Sequence, residues 1–243
     1  MNIREQTSAA EAKGDRAGAI RAGLVTAILE HRLQPGTKLG EDELGAIYGV
    51  SRTIVRAALQ GLAHEGIVVI EKNRGAFIAR PTTAQAREVF EARRLIEPAI
   101  AARAAARSVA ETAPLLDRHL LLERAALEAG DDRAAIRLSG DFHMLVADVA
   151  AHSVYRAILS ELIARSSLII LLYRSNRAHL CGTDHHRLIA DAICAGDGAT
   201  AGRLMVHHLE EIEHGLDLDE PTPPSESLAE ALLAAHATAL TRP

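Results

Sequence analysis

Two arginines near the start of a short helical stretch carry the clearest chemical signal in the sequence. Arg52 and Arg56 are four residues apart, with Thr53 between them, in the segment 49–59. Positions four apart share one face of an α-helix, so both guanidinium groups are predicted to point away from the apolar face. An arginine fork matches the two acceptors of guanine, and a helix N-terminus favours phosphate. The pattern is typical of a helix that enters the major groove of DNA, although a capped surface helix with solvated arginines has the same spacing.

Three histidines on apolar helix faces form a second candidate site. His143, His186 and His208 each share a predicted helix face with aliphatic residues, which places each imidazole toward a core. Three imidazoles from three helices can bind a divalent transition metal inside a bundle. A core histidine is also a common hydrogen-bonded packing residue, so the spacing alone leaves both interpretations open.

The composition favours a helical protein with its positive charge at one end. Hydrophobic residues make up 48% of the 243-residue chain and aromatic residues only 2%, which disfavours a β-sandwich or barrel. The formal net charge is −5, yet residues 16–80 contain nine basic and six acidic residues. Two cysteines, Cys181 and Cys194, exclude a disulfide framework. Because no transmembrane or signal segment is recognisable, we expect a cytoplasmic protein without a membrane partner.

The first eighty residues have the pattern of a winged helix-turn-helix. Residues 1–15 lack periodicity and are predicted to be a flexible arm. Residues 16–80 are predicted to contain three helices followed by a β-hairpin whose polar turn is 71–74. The hydroxyl of Ser51 is expected to cap the third helix. The second helix is expected to bury Leu44, Ile47 and Tyr48.

Residues 81–216 are predicted to form an all-α bundle of about six helices. Amphipathic stretches alternate there with breaker signals, and Thr83 is expected to cap the first helix. The breaker signals are Pro114, Gly130-Asp131-Asp132, His152-Ser153, Gly182-Thr183 and Gly196-Asp197-Gly198. Residues 217–243 read as an acidic, proline-rich linker and a short C-terminal helix. The predicted fold class is therefore mainly α, in two domains.

Residues 20–80 resemble the GntR family of bacterial transcription regulators. The motifs that carry the resemblance are Leu33-Gln34-Pro35-Gly36-Thr37-Lys38-Leu39, Glu43-Leu44, Gly49-Val50-Ser51-Arg52-Thr53, Glu65-Gly66 and Arg74-Gly75-Ala76-Phe77. The DNA contacts that the resemblance implies fall on Ser51, Arg52, Thr53 and Arg56 of the recognition helix and on Arg74 and Gly75 of the wing. Asp42 departs from the family, because many members have arginine there. A carboxylate should repel phosphate, so that contact is expected to be missing or the base preference altered.

The histidine-bearing segments resemble the FCD ligand-binding domain of the FadR subgroup, over residues 84–214. Many such domains hold a metal with three histidines and an aspartate that lies four positions before the first histidine. That position is Ser139 here, and Asp141 is turned about 200° from His143 around the helix, so it cannot substitute. The resemblance therefore implies a three-histidine site for Zn²⁺ or Ni²⁺ with an open position, which is weaker than in its relatives or empty.

The same resemblance implies a small organic acid as effector, and Arg93 lies at a position of the family pattern. Ser139 is a further candidate contact. Arg165 and Arg174 are candidates because the other faces of their helices are apolar, although surface salt bridges are the favoured interpretation for these two. We expect a ligand-responsive regulator, acting as a repressor, that binds a palindromic double-stranded DNA operator as a homodimer and is not an enzyme. A metal-dependent hydrolase using the three histidines is an alternative, but no carboxylate is placed as its general base. An effector-independent DNA-binding protein is a further alternative.

Overall fold

The computed structural model describes residues 3–29, 32–107, 109–174 and 183–218. The described residues form nine helices and one three-stranded sheet. The N-terminal unit contains α1 (Ile3–Leu29), β1 (Lys38–Leu39), α2 (Glu41–Tyr48), α3 (Arg52–His64), β2 (Val68–Glu71) and β3 (Gly75–Ile78). The C-terminal unit contains α4 (Thr83–Ala105), α5 (Val109–Glu128), α6 (Asp132–Ala150), α7 (Ser153–Tyr173), α8 (Thr183–Cys194) and α9 (Gly198–His214). The predicted fold class, a winged helix-turn-helix followed by an all-α domain, is confirmed.

The wing is a small antiparallel sheet with β3 in the centre and the order β1-β3-β2. Its hairpin turn uses a left-handed residue, Asn73 with φ 62°, followed by Gly75 with φ 104°. Asparagine and glycine tolerate positive φ, which explains why the chain reverses here. Lys38 of β1 pairs with Phe77 of β3. This third strand was not predicted, because two residues are too few to show an alternating pattern.

The recognition helix α3 lies on the core of the winged unit. Its buried face consists of Ile54, Val55, Ala58, Leu59 and Leu62, as the spacing predicts. Ser51 is the N-terminal cap position, but its side chain makes no capping hydrogen bond, so that prediction was wrong. Ile47 of α2 is 67% exposed, also against prediction. Helix α2 packs mainly on α3, which leaves a narrower buried stripe than the sequence suggested.

The helical domain starts at a capping box. The side chain of Thr82, not Thr83, accepts the backbone N–H of Gln85, and the Gln85 side chain accepts the backbone N–H of Thr82. Asp131 and Asp197 cap α6 and α9 with their side chains, which accept the backbone N–H groups of Ala134 and Thr200. Pro114 lies inside α5 instead of ending a helix. Only the carbonyl of residue 110, in the first turn, loses its helical partner, which makes this proline tolerable.

Helix α7 joins the two units. Ala164 and Leu168 belong to the buried core of the winged unit, whereas Leu159 and Ile163 belong to the main core of the helical domain. Leu29, at the end of α1, packs against the core of the helical domain. Through both contacts, the winged unit and the helical domain pack against each other.

The N-terminal end of the chain is helical, and the described residues stop before the C-terminal end. Helix α1 begins at Ile3, so it includes most of the segment for which an arm was expected. The stretch contains many alanines and glutamates, which are good helix formers. The expected C-terminal helix lies outside the described residues, which end at 218. None of the described helices combines the length and hydropathy needed to cross a bilayer.

Candidate functional site

The three predicted histidines meet in the core of the helical domain. Helices α6, α8 and α9 supply His143, His186 and His208, and all three side chains are buried. The Nε2 atoms of His186 and His208 are 2.9 Å apart, and those of His208 and His143 are 3.3 Å apart. The structure therefore brings three ring nitrogens from three helices to one point.

Two buried carboxylates bind His143 and His186 on the Nδ1 side of each ring, opposite the Nε2 atoms that meet in the centre. His143 Nδ1 lies 2.5 Å from Glu97 of α4. His186 Nδ1 lies 2.9 Å from both carboxylate oxygens of Glu123 of α5. An ionised carboxylate only accepts hydrogen bonds, so each Nδ1 is the donor and each Nε2 turns its lone pair toward the centre. Neither glutamate was predicted from the sequence as part of this site.

Burial determines the charge state of this cluster. Desolvation lowers the pKa of His143 below its ordinary value and that of His208 well below it, and neighbouring charges add to the shift of His208. Both rings are therefore neutral near pH 7. Burial opposes ionisation of Glu97, but Arg93 and His143 outweigh it and hold the pKa of Glu97 at about 2. The cluster thus combines neutral imidazoles at His143 and His208 with an ionised carboxylate at Glu97.

The donor set fits a divalent transition metal. Tetrahedral Zn²⁺ with Zn–N bonds of about 2.0–2.1 Å separates its nitrogen ligands by roughly 3.3 Å. The two Nε2 separations, 2.9 and 3.3 Å, are close to this value. Without a metal, the single Nε2–H of His208 can satisfy only one of its two neighbours, which leaves a buried lone pair unpaired. A cation at the centre would satisfy all three.

A cavity opens beside the histidines. Its lining includes His143 and His186 as well as Arg93, Ser139 and Ser167. Arg93 is buried and binds Glu97 through Nε, but its Nη2 has no hydrogen-bond partner in the described part of the chain. Ser167 Oγ is also buried without a partner among those residues. Leaving a buried polar group unpaired costs about 1–3 kcal/mol, so both atoms favour a polar ligand in the cavity.

Ser139 and Arg165 differ in their placement. Ser139 lies on α6, four residues before His143, and lines the cavity as predicted from its spacing. Arg165 does not line it. Its Nε donates to the backbone carbonyl of Glu65, at 2.6 Å, where α3 ends. This placement contradicts Arg165 as an effector contact, because residues 163, 166, 167 and 170 form the cavity face of α7. Arg174, the third arginine candidate, does line the cavity.

The predicted DNA-contacting residues all lie on the surface of the winged unit. Ser51, Arg52, Thr53 and Arg56 are exposed at the start of α3, and Arg74 and Gly75 are exposed at the wing tip. Both helix arginines are ion-paired with α2. Arg52 binds Asp42 through two contacts of 2.5 and 2.8 Å, and Arg56 Nε lies 2.8 Å from both oxygens of Glu41. Arg74 pairs with Glu71 within the hairpin.

Family comparisons agree with this arrangement of an N-terminal DNA-binding unit and a helical domain. Residues 16–78 match the family described as "Bacterial regulatory proteins, gntR family", and residues 88–211 match the FCD domain. The chain belongs to the GntR family. As a member of this family, it is a transcription regulator with a helix-turn-helix domain and an FCD domain.

Curated relatives of this GntR-family chain include regulators from several bacteria. It is 28% identical over 194 residues to the HTH-type transcriptional repressor RspR of Escherichia coli, covering 76% of this chain and 81% of RspR. It is 27% identical over 207 residues to the HTH-type transcriptional regulator LutR of Bacillus subtilis, covering 74% and 92%. A probable D-xylose utilization operon transcriptional repressor of Paenarthrobacter nicotinovorans is 27% identical over 193 residues, covering 79% and 85%.

Two solved structures superpose on this chain over most of their length. A putative GntR regulator from Rhodococcus sp. RHA1 superposes with a TM-score of 0.71 at 25% identity, covering 82% of this chain and 96% of that one. E. coli McbR/YncC superposes with a TM-score of 0.72 at 18% identity, covering 81% and 94%. The second likeness supports the fold alone.

Proposed function

We propose that this GntR-family chain is a ligand-responsive repressor that binds a palindromic operator as a homodimer and is controlled by a small organic acid in its helical domain. One observation carries the proposal. The two faces of helix α7 line the histidine cavity and pack on the winged unit, so a ligand in the cavity touches the element that positions the DNA-binding end. Relatives from E. coli and P. nicotinovorans that are named as repressors support the sign of regulation.

The DNA-binding part of the proposal rests on the exposed arginines of α3. Arg52→Ala and Arg56→Ala are each expected to weaken binding of the preferred DNA sequence by about 1–3 kcal/mol, the cost of one lost bidentate base contact. Both side chains are more than 60% exposed, so the fold should be unchanged. Gel shifts on DNA selected by the wild-type chain from a random pool measure the effect. Wild-type affinity in either variant would contradict the assignment of α3 as the recognition helix.

The effector part of the proposal rests on unpaired polar atoms in the cavity. Arg93 Nη2 can donate to a carboxylate oxygen, and Ser167 Oγ can bind a second polar group of the same molecule. The rest of the cavity is largely aliphatic, with Ile136, Ile163 and Ile170 in its lining. A small organic acid with a charged head and a short apolar body matches these features.

The metal part of the proposal rests on the histidine cluster. His143, His186 and His208 would hold Zn²⁺ or Ni²⁺, since both suit neutral imidazole nitrogen. Such an ion would supply a Lewis-acidic position beside Arg93 at which an effector carboxylate can bind. Glu97 and Glu123 fix the ring orientations from behind. Ser139 is neutral and would not supply a charged ligand to the ion, so a coordination position would remain for the carboxylate of the effector.

Communication between the cavity and the DNA-binding end is proposed to pass through α7 and Arg165. Ser166 and Ser167 lie on the cavity side of the helix. Arg165, next to them in sequence, donates to Glu65, and its guanidinium group lies against Gly66. These two residues join the recognition helix to β2. A small rotation or shift of α7 would therefore move the end of α3 directly.

Arg165→Ala is expected to uncouple the two units while both stay folded. In the wild-type chain, binding of selected DNA should change hydrogen exchange in the cavity-lining part of α7, because coupling between two sites is reciprocal. The variant should lose most of this change, since a hydrogen bond from a charged donor contributes about 1.5–3 kcal/mol. Arg156→Ala, which removes an exposed arginine of α7 paired with Asp148, is the matched control. Equal exchange changes in all three proteins would contradict this route.

A further inference from the structure

The acidic start of α2 forms an unusual contact with the recognition helix. Asp42 holds Arg52 by a two-point fork, with Oδ1 2.5 Å from Nε and Oδ2 2.8 Å from Nη2. The pair is exposed, with 73% of the Asp42 side chain and 64% of the Arg52 side chain accessible. An exposed ion pair contributes little to stability, so its role has to be sought in the position that it gives to the arginine.

The fork leaves one edge of the guanidinium group free. Arginine has five N–H donors, and Asp42 occupies the edge formed by Nε and Nη2. Among the residues that the structure describes, Asp42 is the hydrogen-bond and ion-pair partner of Arg52, and the end formed by Nη1 and the second N–H of Nη2 faces away from it. Two parallel donors at this end have the geometry that matches the O6 and N7 acceptors of guanine.

We propose that Asp42 is a positioning residue for base recognition, which holds Arg52 by a two-point contact so that the other end of its guanidinium group reads a guanine, and which disfavours its use on phosphate. The proposal rests on the proposed role of α3 as the recognition helix. A long side chain that is ordered before binding loses less conformational entropy when it contacts a base. The negative charge of Asp42 also repels the DNA backbone, so it weakens non-specific binding at the same time.

A simpler interpretation is that Asp42 only stabilises α2. The cap residue Gly40 offers no side-chain hydrogen bond, and the first turn contains Glu41, Asp42 and Glu43, which suit the positive end of the helix dipole. If this were the whole role, removing either Asp42 or Glu43 would have the same small effect on DNA binding. Glu43→Gln is therefore the matched control for Asp42→Asn, because both changes remove one exposed carboxylate from the same turn.

The test uses the full-length chain and DNA selected by it from a random pool. Fluorescence anisotropy is measured for the best sequence, for each single base-pair change, and for unrelated duplex DNA. In the wild-type chain, one guanine in each half-site should show about 5- to 150-fold discrimination that disappears in Arg52→Ala. Asp42→Asn should reduce the discrimination at that same guanine severalfold and tighten binding to unrelated DNA. The plot of log binding constant against log salt concentration should also become steeper, by about the amount that one additional phosphate contact contributes.

The outcomes separate this inference from the function on which it rests. If Arg52→Ala loses the guanine preference but Asp42→Asn keeps it, Asp42 is not a positioning residue. If Asp42→Asn tightens binding to all sequences equally, or matches Glu43→Gln, its carboxylate acts only through repulsion or the helix dipole and the proposal is overturned. If Arg52→Ala keeps every base preference, the assignment of α3 itself fails. Thermal unfolding of each variant checks that the fold is intact.

Discussion

Replacing Arg93 by methionine is expected to destabilise the helical domain by about 3–5 kcal/mol, the cost of leaving one member of a buried ion pair without its partner. Arg93 and Glu97 are 2% and 1% exposed, and their contact joins Nε to Oε1 at 2.5 Å. Methionine fills similar space but leaves the Glu97 carboxylate with His143 alone. Each kcal/mol corresponds to about 2–4 °C for a chain of this size, so the melting temperature should fall by roughly 6–20 °C.

Arg124→Met is the matched control for Arg93→Met. Arg124 and Glu128 have the same spacing of four residues on one helix, but their side chains are 73% and 66% exposed. Such a solvent-screened surface pair contributes little to stability, so the control should melt close to the wild-type chain. The double variant Arg93→Met/Glu97→Gln should recover part of the loss, because it removes the buried charge as well as its partner. A single variant that melts like the Arg124→Met control would contradict the importance of the buried pair.

Ser139→Asp is expected to raise affinity for Zn²⁺ or Ni²⁺, and His186→Ala to lower it strongly. Aspartate at this position would add a charged oxygen beside the cavity, one helical turn before His143. Even the loss of a residue that only orients a ligand typically costs about 10–100-fold in affinity, so loss of a direct ligand should cost at least as much. Metal analysis and calorimetry on the variants and the wild-type chain measure the differences.

Two further variants sharpen the metal experiment. Glu123→Gln keeps all three histidines but weakens the hydrogen bond to His186 Nδ1. The metal affinity of this variant should therefore lie between those of the wild-type chain and His186→Ala. His64→Ala removes an exposed histidine at the end of α3 and should leave metal content unchanged. Equal, negligible metal content in all of these proteins would show that the three core histidines serve packing or effector contact and not metal binding.

Much of the fold followed from local patterns. Helical periodicity and glycine signals were sufficient to predict α2, α3 and six C-terminal helices, because an amphipathic helix must bury its apolar face. The convergence of His143, His186 and His208 could also be predicted, since each shares a face with core residues. These features depend on spacing within one element.

The features that the sequence did not reveal depend on contacts between elements. Glu97 and Glu123 lie on α4 and α5, and their pairing with histidines of α6 and α8 requires the packed bundle. Arg165 looked like a cavity residue because α7 is apolar on both sides, and only the packing of the winged unit shows which face it occupies. The fork between Asp42 and Arg52 joins residues ten positions apart on two helices.

Selection of DNA sequences from a random pool by the purified full-length chain tests most directly whether this protein is a sequence-specific, dimeric regulator. We expect an enriched inverted repeat whose two half-sites lie about one helical turn apart, or a multiple of it, with two protein chains on each duplex. Arg52→Ala should fail to enrich the same sequence. A pool that stays random, or a single unrepeated motif bound by one chain, would contradict the proposed operator recognition.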